Sequence, residues 1–205
     1  MTHDISFLFF IVPMHTILET TPRTGQFMLS EPFLPDPNFQ RTVIFLTEHH
    51  TKGSVGYILN RPLKVLVSDV VPEMAGIHAP LYWGGPVQEN TLHCLHRAGE
   101  YIEHSVEIIS GVWWGGSLEE ILTTLNTGLA DMNDFKFLVG YSGWGAGQLL
   151  HELEEKSWLL ARTDADTAIE QIFRPDTKNL WTRIAKTFGK EYEQYAVLPA
   201  VPDLN

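Results

Sequence analysis

Ser142 stands in the string Gly140-Tyr141-Ser142-Gly143-Trp144, between an apolar run and a helix-like segment, where a nucleophile elbow would present its hydroxyl. The GxSxG elbow needs glycine where Trp144 stands, and the downstream histidine, His151, falls on the very next helix. The pattern argues against a serine hydrolase, and Ser142 reads as a turn hydroxyl bonding local backbone. The segment continues Gly145-Ala146-Gly147, and glycines before a helix can leave backbone N–H groups open to an anion. Their spacing is not GxGxxG and no GxxxxGK[ST] occurs, so no nucleotide or other cofactor is implied. Close packing of backbone on backbone beneath Trp144 is the favoured use of these glycines.

Histidines raise the question of a metal. Alternate residues of a strand share a face, so Glu48 sides with His50 and Cys94 with His96, while His93 points the other way. No run offers three ligands on one face, and His151-Glu152 lacks the second histidine of HExxH, Glu155 occupying its place. No metal site is expected. Cys94 reads as a small core residue rather than a reactive thiol. Arg41, Arg61 and Arg97 border predicted strands or turns, and converging guanidinium groups would suit a carboxylate or phosphate, with separate ion pairs as the plainer outcome. Trp83 and Trp144 flank glycine turns and Trp113-Trp114 precedes Gly115-Gly116, which suits core packing first and a pocket wall second.

Several elements must position these groups. Residues 42–48 and 55–60 are apolar and β-branched, joined by His50-Thr51-Lys52-Gly53, and read as a hairpin that Asn60-Arg61-Pro62 ends. A short helix is predicted over 65–71, and strands over 81–83, 91–95 and 105–112. Ser117-Leu118-Glu119-Glu120 has capping-box spacing ahead of an apolar helical face that stops at Gly128. A buried strand over 135–141 leads through the glycine turn to a helix over 148–156. A strand over 158–161, a helix capped by Asp164 and a helix over 180–188 ended by Gly189 complete the chain. Strands first and mixed elements later favour an α+β fold over a regular doubly wound sheet.

The 205 residues, 44% of them hydrophobic, suffice for one large domain, taken as residues 14–205. Residues 7–12 are apolar but lack a basic leader, follow Asp4 and stop at Pro13, so residues 1–13 read as an extension or docking strand, with Met14 an alternative start. No membrane association is implied. The net charge of −11 disfavours direct nucleic-acid binding, and the lone cysteine, Cys94, suits a reducing, cytoplasmic setting.

Taken in order, Asp36-Pro37-Asn38-Phe39-Gln40-Arg41-Thr42-Val43, Gly56-Tyr57-Ile58-Leu59-Asn60-Arg61-Pro62, Trp83-Gly84-Gly85-Pro86-Val87, Leu95-His96 and the segment from Gly140 to Leu149 resemble the bacterial AlgH/YqgE family. The resemblance implies a mixed, largely antiparallel sheet with a small β-barrel-like core surrounded by helices. It brings no reaction, and the label of transcriptional regulator that some members carry has no helix-turn-helix here to support it. The leading expectation is a non-enzymatic module in which Arg41, Asn60, Arg61, Gly84, Gly85, His96, Ser142, Gly143, Gly145 and Gly147 form a polar pocket for a small anion or a protein tail, with any regulatory role indirect. The alternatives are a hydrolase using Ser142, His96 or Cys94, and a regulator acting directly on DNA.

Overall fold

Alternation decides the architecture. In the computed structural model, which describes residues 16–189 and Tyr192, strand β2 (Phe27–Ser30) pairs antiparallel with β3 (Val43–His50). Phe27, Leu29, Val43 and Phe45 face one core, and Met28, Ile44 and Leu46 face another. Both faces are covered, which is why these strands read as continuous apolar runs. Two turn residues, Thr51 and Lys52, return β3 into β4 (Gly53–Ile58), with a bulge between Leu46 and Glu48. The extension over residues 7–12 and Met14 lie outside the described residues.

The remaining strands are β1 (Ile17–Glu19), β5 (Pro62–Leu66), β6 (Pro80–Trp83), β7 (Val87–His96), β8 (Ser105–Ile109), β9 (Val112–Gly115), β10 (Phe135–Gly145) and β11 (Trp158–Arg162). The sheet runs β1-β11-β2-β3-β4-β10-β7-β9-β8, with β5 and β6 attached beside β10, where β6 runs parallel. Its path has two ends, so the sheet is mixed and largely antiparallel but does not close into a barrel. The single strand predicted over 105–112 is a hairpin, because Gly111, at φ +82°, turns the chain between β8 and β9. The short helix predicted over 65–71 is one turn, α1 (Val67–Val70), preceded by strand β5.

Helix α2 (Leu118–Asn126) begins at the expected capping box: Ser117 Oγ accepts from the Glu120 amide and Glu120 accepts from the Ser117 amide, each at 3.2 Å. Helices α3 (Gln148–Glu154), α4 (Ala165–Phe173) and α5 (Leu180–Ala185) follow. Ile172 of α4 and Trp181 of α5 pack on the Phe27 and Phe45 face, α3 packs through Leu149 on the Ile44 face, and α2 packs through Ile121 against Leu81, Cys94 and Phe137. No helix among the described residues is long and apolar enough to cross a membrane.

Strand β10 holds the two halves together. Its residues Phe137, Leu138 and Val139 pair with β6 on one edge, and on that same edge Ser142 to Gly145 pair with β4. Gly84 fills the corner, donating its amide to Val139 and accepting from the Ile58 amide. A Cβ on Gly84 would lie 2.3 Å from the Gly140 carbonyl oxygen, and one on Gly140, at φ +68°, would lie 2.4 Å from that of Gly85. Only glycine fits such contacts.

Candidate functional site around the glycine turn

The residues singled out from sequence fall into separate groups. Arg41, with a left-handed backbone (φ +49°), places its guanidinium 5.2 Å over the Trp181 ring. Asn60 accepts from the Val43 amide and donates to the Arg41 carbonyl, both at 2.9 Å, and Arg61 donates to the Gln40 carbonyl. The Asn60 and Arg61 side chains tie the loop before β3 to the end of β4, and Arg41 packs that loop on α5. Ser142 is fully buried and donates to the Gly84 carbonyl at 3.2 Å, so with Gly84 and Gly85 it belongs to the strand corner. His96 lies in a different core region, stacked on Trp113 and Phe135. Arg97 points outward and pairs with Asp134 at 3.2 Å. The cavities described below are lined by neither Arg41, Arg61 nor His96.

Cys94 is buried, and that burial pushes its thiol well above the usual range, the opposite of what a nucleophile needs. Burial likewise holds His96 down to about 4, with the Gly115 backbone offsetting only part of the effect. Among the described residues one trio of potential metal ligands comes together, Glu103, His104 and Glu120, on the surface and away from Cys94 and His96. Glu120 already serves the α2 cap.

Gly143, Gly145 and Gly147 do share one place. Strand β10 runs on through Gly145, later than the predicted turn, and reverses at Ala146-Gly147 (φ +75°) into α3. Gln148 accepts from the Gly145 amide at 3.0 Å and donates to Glu152 Oε1 at 2.9 Å. Glu152 Oε2 accepts two indole N–H groups, from Trp144 at 2.8 Å and Trp158 at 2.7 Å. The two indoles meet edge to face, with centroids 5.8 Å apart, and Phe39 stands edge-on to Trp158 at 5.4 Å. Phe39 is held by an Asx turn in which Asp36 accepts from the Asn38 amide at 2.8 Å.

Between these groups lies a recess of about 310 Å³ whose walls include Asp36, Phe39, Gly143, Trp144, Glu152 and Trp158. Neither Asp36 nor Glu152 forms an ion pair with a lysine or arginine among the described residues. Aromatic rings beside carboxylates with no cation make a setting that attracts positive charge. On the other side of the glycine turn a groove of about 490 Å³ is bordered by His49, His50, Ser54, Gly145, Gly147 and Leu150. There His49 Nδ1 lies 2.7 Å from Ser54 Oγ, and burial together with neighbouring His50 lowers the His49 pKa.

Sequence reading missed Phe39, Glu152 and Trp158 as partners, and the His49–Ser54 pair. The hairpin register places His49 opposite Ser54, a signal that was legible once the turn residues were fixed. Lys136 was also passed over, although a lysine inside the apolar run 135–141 is conspicuous.

An open, largely antiparallel mixed sheet pivoting on a glycine corner and flanked by helices places the chain among small α+β proteins. The chain belongs to the AlgH-like family, whose model matches residues 27–193. It is 41% identical over 183 residues to a UPF0301 protein of Chlorobium limicola, covering 89% of this chain and 96% of that one. A UPF0301 protein of Cytophaga hutchinsonii is 34% identical over 182 residues, covering 88% and 98% of the two chains. The solution structure of the AlgH protein from Pseudomonas aeruginosa superposes with a TM-score of 0.66 at 26% identity, covering 86% of this chain and 94% of that one. A Corynebacterium diphtheriae protein shares the fold, with a TM-score of 0.67 at 20% identity over 87% and 93% of the two chains. The family is of uncharacterised function.

Proposed function

We propose that this protein is a non-catalytic binding module whose recess between the Asp36 turn and α3 seats a positively charged group, such as an alkylammonium carried by a partner protein. The observation behind this reading is Glu152: its carboxylate, fixed by two indole N–H groups, and that of Asp36 border an aromatic-walled recess without a cationic partner among the described residues. A desolvated cation on such rings gains about 2 kcal/mol. The arginines that would have recognised an anion are engaged instead with backbone and with Trp181.

A titration with choline, read at the indole N–H resonances of Trp144 and Trp158, tests this. Choline should move both, while 3,3-dimethylbutanol, its uncharged isostere, should leave them in place, and Glu152→Gln should weaken the response roughly tenfold. Equal shifts with both compounds, or none at tens of millimolar, would sink the proposal.

The second reading keeps the small anion and moves it to the groove on the far side of the glycine turn. It is favoured by the imidazoles of His49 and His50 beside Gly145 and Gly147. Phosphate that shifts the imidazole resonances of His49 and His50 without moving those of Trp144 would support it. A cytoplasmic setting and an indirect regulatory role belong to the same proposal. Both fit a lone, buried Cys94 and a net charge of −11, which opposes direct contact with DNA. The hydrolase alternative would need Ser142 or Cys94 as nucleophile, and both are buried.

A further inference from the structure

Lys136 lies on β10 with 3% of its surface exposed, and its amine sits 3.7 Å over the Tyr82 ring. Among the described residues it makes no ion pair and no side-chain hydrogen bond. It lines a cavity of about 60 Å³ with Tyr82, Asn133, Phe135, Phe173 and Pro175, and no carboxylate, arginine or histidine among the described residues lines it. Its contact with Tyr82 favours the ammonium form by about 0.5–2 kcal/mol. Removing that charge from water costs several kcal/mol. Desolvation wins, and burial holds the Lys136 amine down to about 7.

We infer that Lys136 is a covalent capture site for small uncharged aldehydes. A neutral amine carries the lone pair that an ammonium lacks, and a desolvated lysine is the form that builds Schiff bases. The Nζ lone pair bonds to the carbonyl carbon, and an amine proton passes to the carbonyl oxygen, giving a carbinolamine. Loss of water then leaves a C=N bond. The imine is uncharged, so the apolar walls accept it. A carbamate from carbon dioxide, or the adduct of an acid-bearing aldehyde, would leave an anion there with no other cationic group among the described residues lining the cavity. The small size of the cavity, about 60 Å³, limits the guest to the smallest aldehydes.

Reductive ethylation of the full chain at pH 7 with acetaldehyde and cyanoborohydride tests the inference, with each lysine's rate read by peptide mass spectrometry. Cyanoborohydride supplies a hydride to the imine carbon and water a proton to its nitrogen, which leaves a stable secondary amine. Lys52 and Lys64 are exposed and serve as the comparison, and an ordinary lysine amine is almost wholly protonated at that pH. Lys136 should therefore be labelled at least about tenfold faster, even with its lower basicity. With glyoxylate, which carries a carboxylate, the preference should disappear, and in the urea-unfolded chain Lys136 should react like the others. A Lys136 rate at or below that of Lys52 with acetaldehyde, the same Lys136 preference with glyoxylate, or a preference that survives unfolding would each overturn the inference.

Discussion

Trp144, on the last strand before the glycine turn, donates its indole N–H to Glu152 on the following helix at 2.8 Å, and Trp158 donates to the same oxygen at 2.7 Å. One carboxylate thereby joins β10, α3 and β11. Glu152→Ala would leave two indole donors without an acceptor, and a buried donor left unpaired costs about 1–3 kcal/mol. Urea unfolding should show a loss on the order of 3 kcal/mol for Glu152→Ala and about 1 kcal/mol for Glu152→Gln, which keeps one acceptor oxygen. Equal losses would mean that the indoles do not depend on this oxygen.

The glycine corner gives a second contrast. Alanine at Gly140 would combine an unfavourable φ with a Cβ 2.4 Å from the Gly85 carbonyl oxygen. Alanine at Gly147 meets the same φ penalty, but nothing lies within 4 Å of its Cβ. The φ penalty is roughly 1–2 kcal/mol and a core overlap adds about 1–3. Gly140→Ala should therefore be markedly less stable than Gly147→Ala, by chemical denaturation or soluble yield. Parity would place the strain in the backbone angle alone.

These two sites also show how far the sequence carries. Periodicity and turn chemistry located the β3–β4 hairpin, the α2 cap and the α4 cap because each is set within about ten residues. The Gly84–Gly140 contact and the recess join segments far apart in the chain, and alternation assigns a residue to a face without ordering the strands. Phe39 reaches Trp158 only because β11 lies beside β2 and β2 beside β3. Ser142 and Cys94 stayed open as alternative nucleophiles for the same reason: their depth is a property of strand order. β2, at four residues, was too short to stand out.

Asn60 separates a structural role from a ligand-binding one. Its buried amide bridges the Val43 N–H and the Arg41 carbonyl. Asn60→Ala removes both bonds and should lower stability by roughly 2–3 kcal/mol. Choline should still shift the Trp144 and Trp158 resonances of the folded variant with unchanged affinity. A loss of binding without a loss of stability would reassign Asn60 to the site.

Acid should destabilise the protein before its carboxylates titrate. His96 is fully buried between Trp113 and Phe135, its Nδ1 accepts from the Ala98 amide at 3.3 Å, and burial holds it at about 4 against 6.5 in an unfolded chain. Above pH 6.5 the imidazole is neutral in both states and pH has no effect through it. Below that the unfolded chain takes up a proton that the native one refuses, so stability falls as pH falls, until native His96 also protonates near pH 4. At about 1.4 kcal/mol per pH unit the full effect is on the order of 3 kcal/mol. His49 and His93, whose pKa values burial also lowers, act in the same direction. Asp164, lowered by its hydrogen bonds to Thr167, adds its loss only at more acid pH. Urea midpoints between pH 7 and 4.5 should therefore fall steeply for the native chain and less steeply for His96→Phe, which preserves the stacking and cannot titrate. Identical slopes would assign the acid sensitivity to His49 and His93 instead.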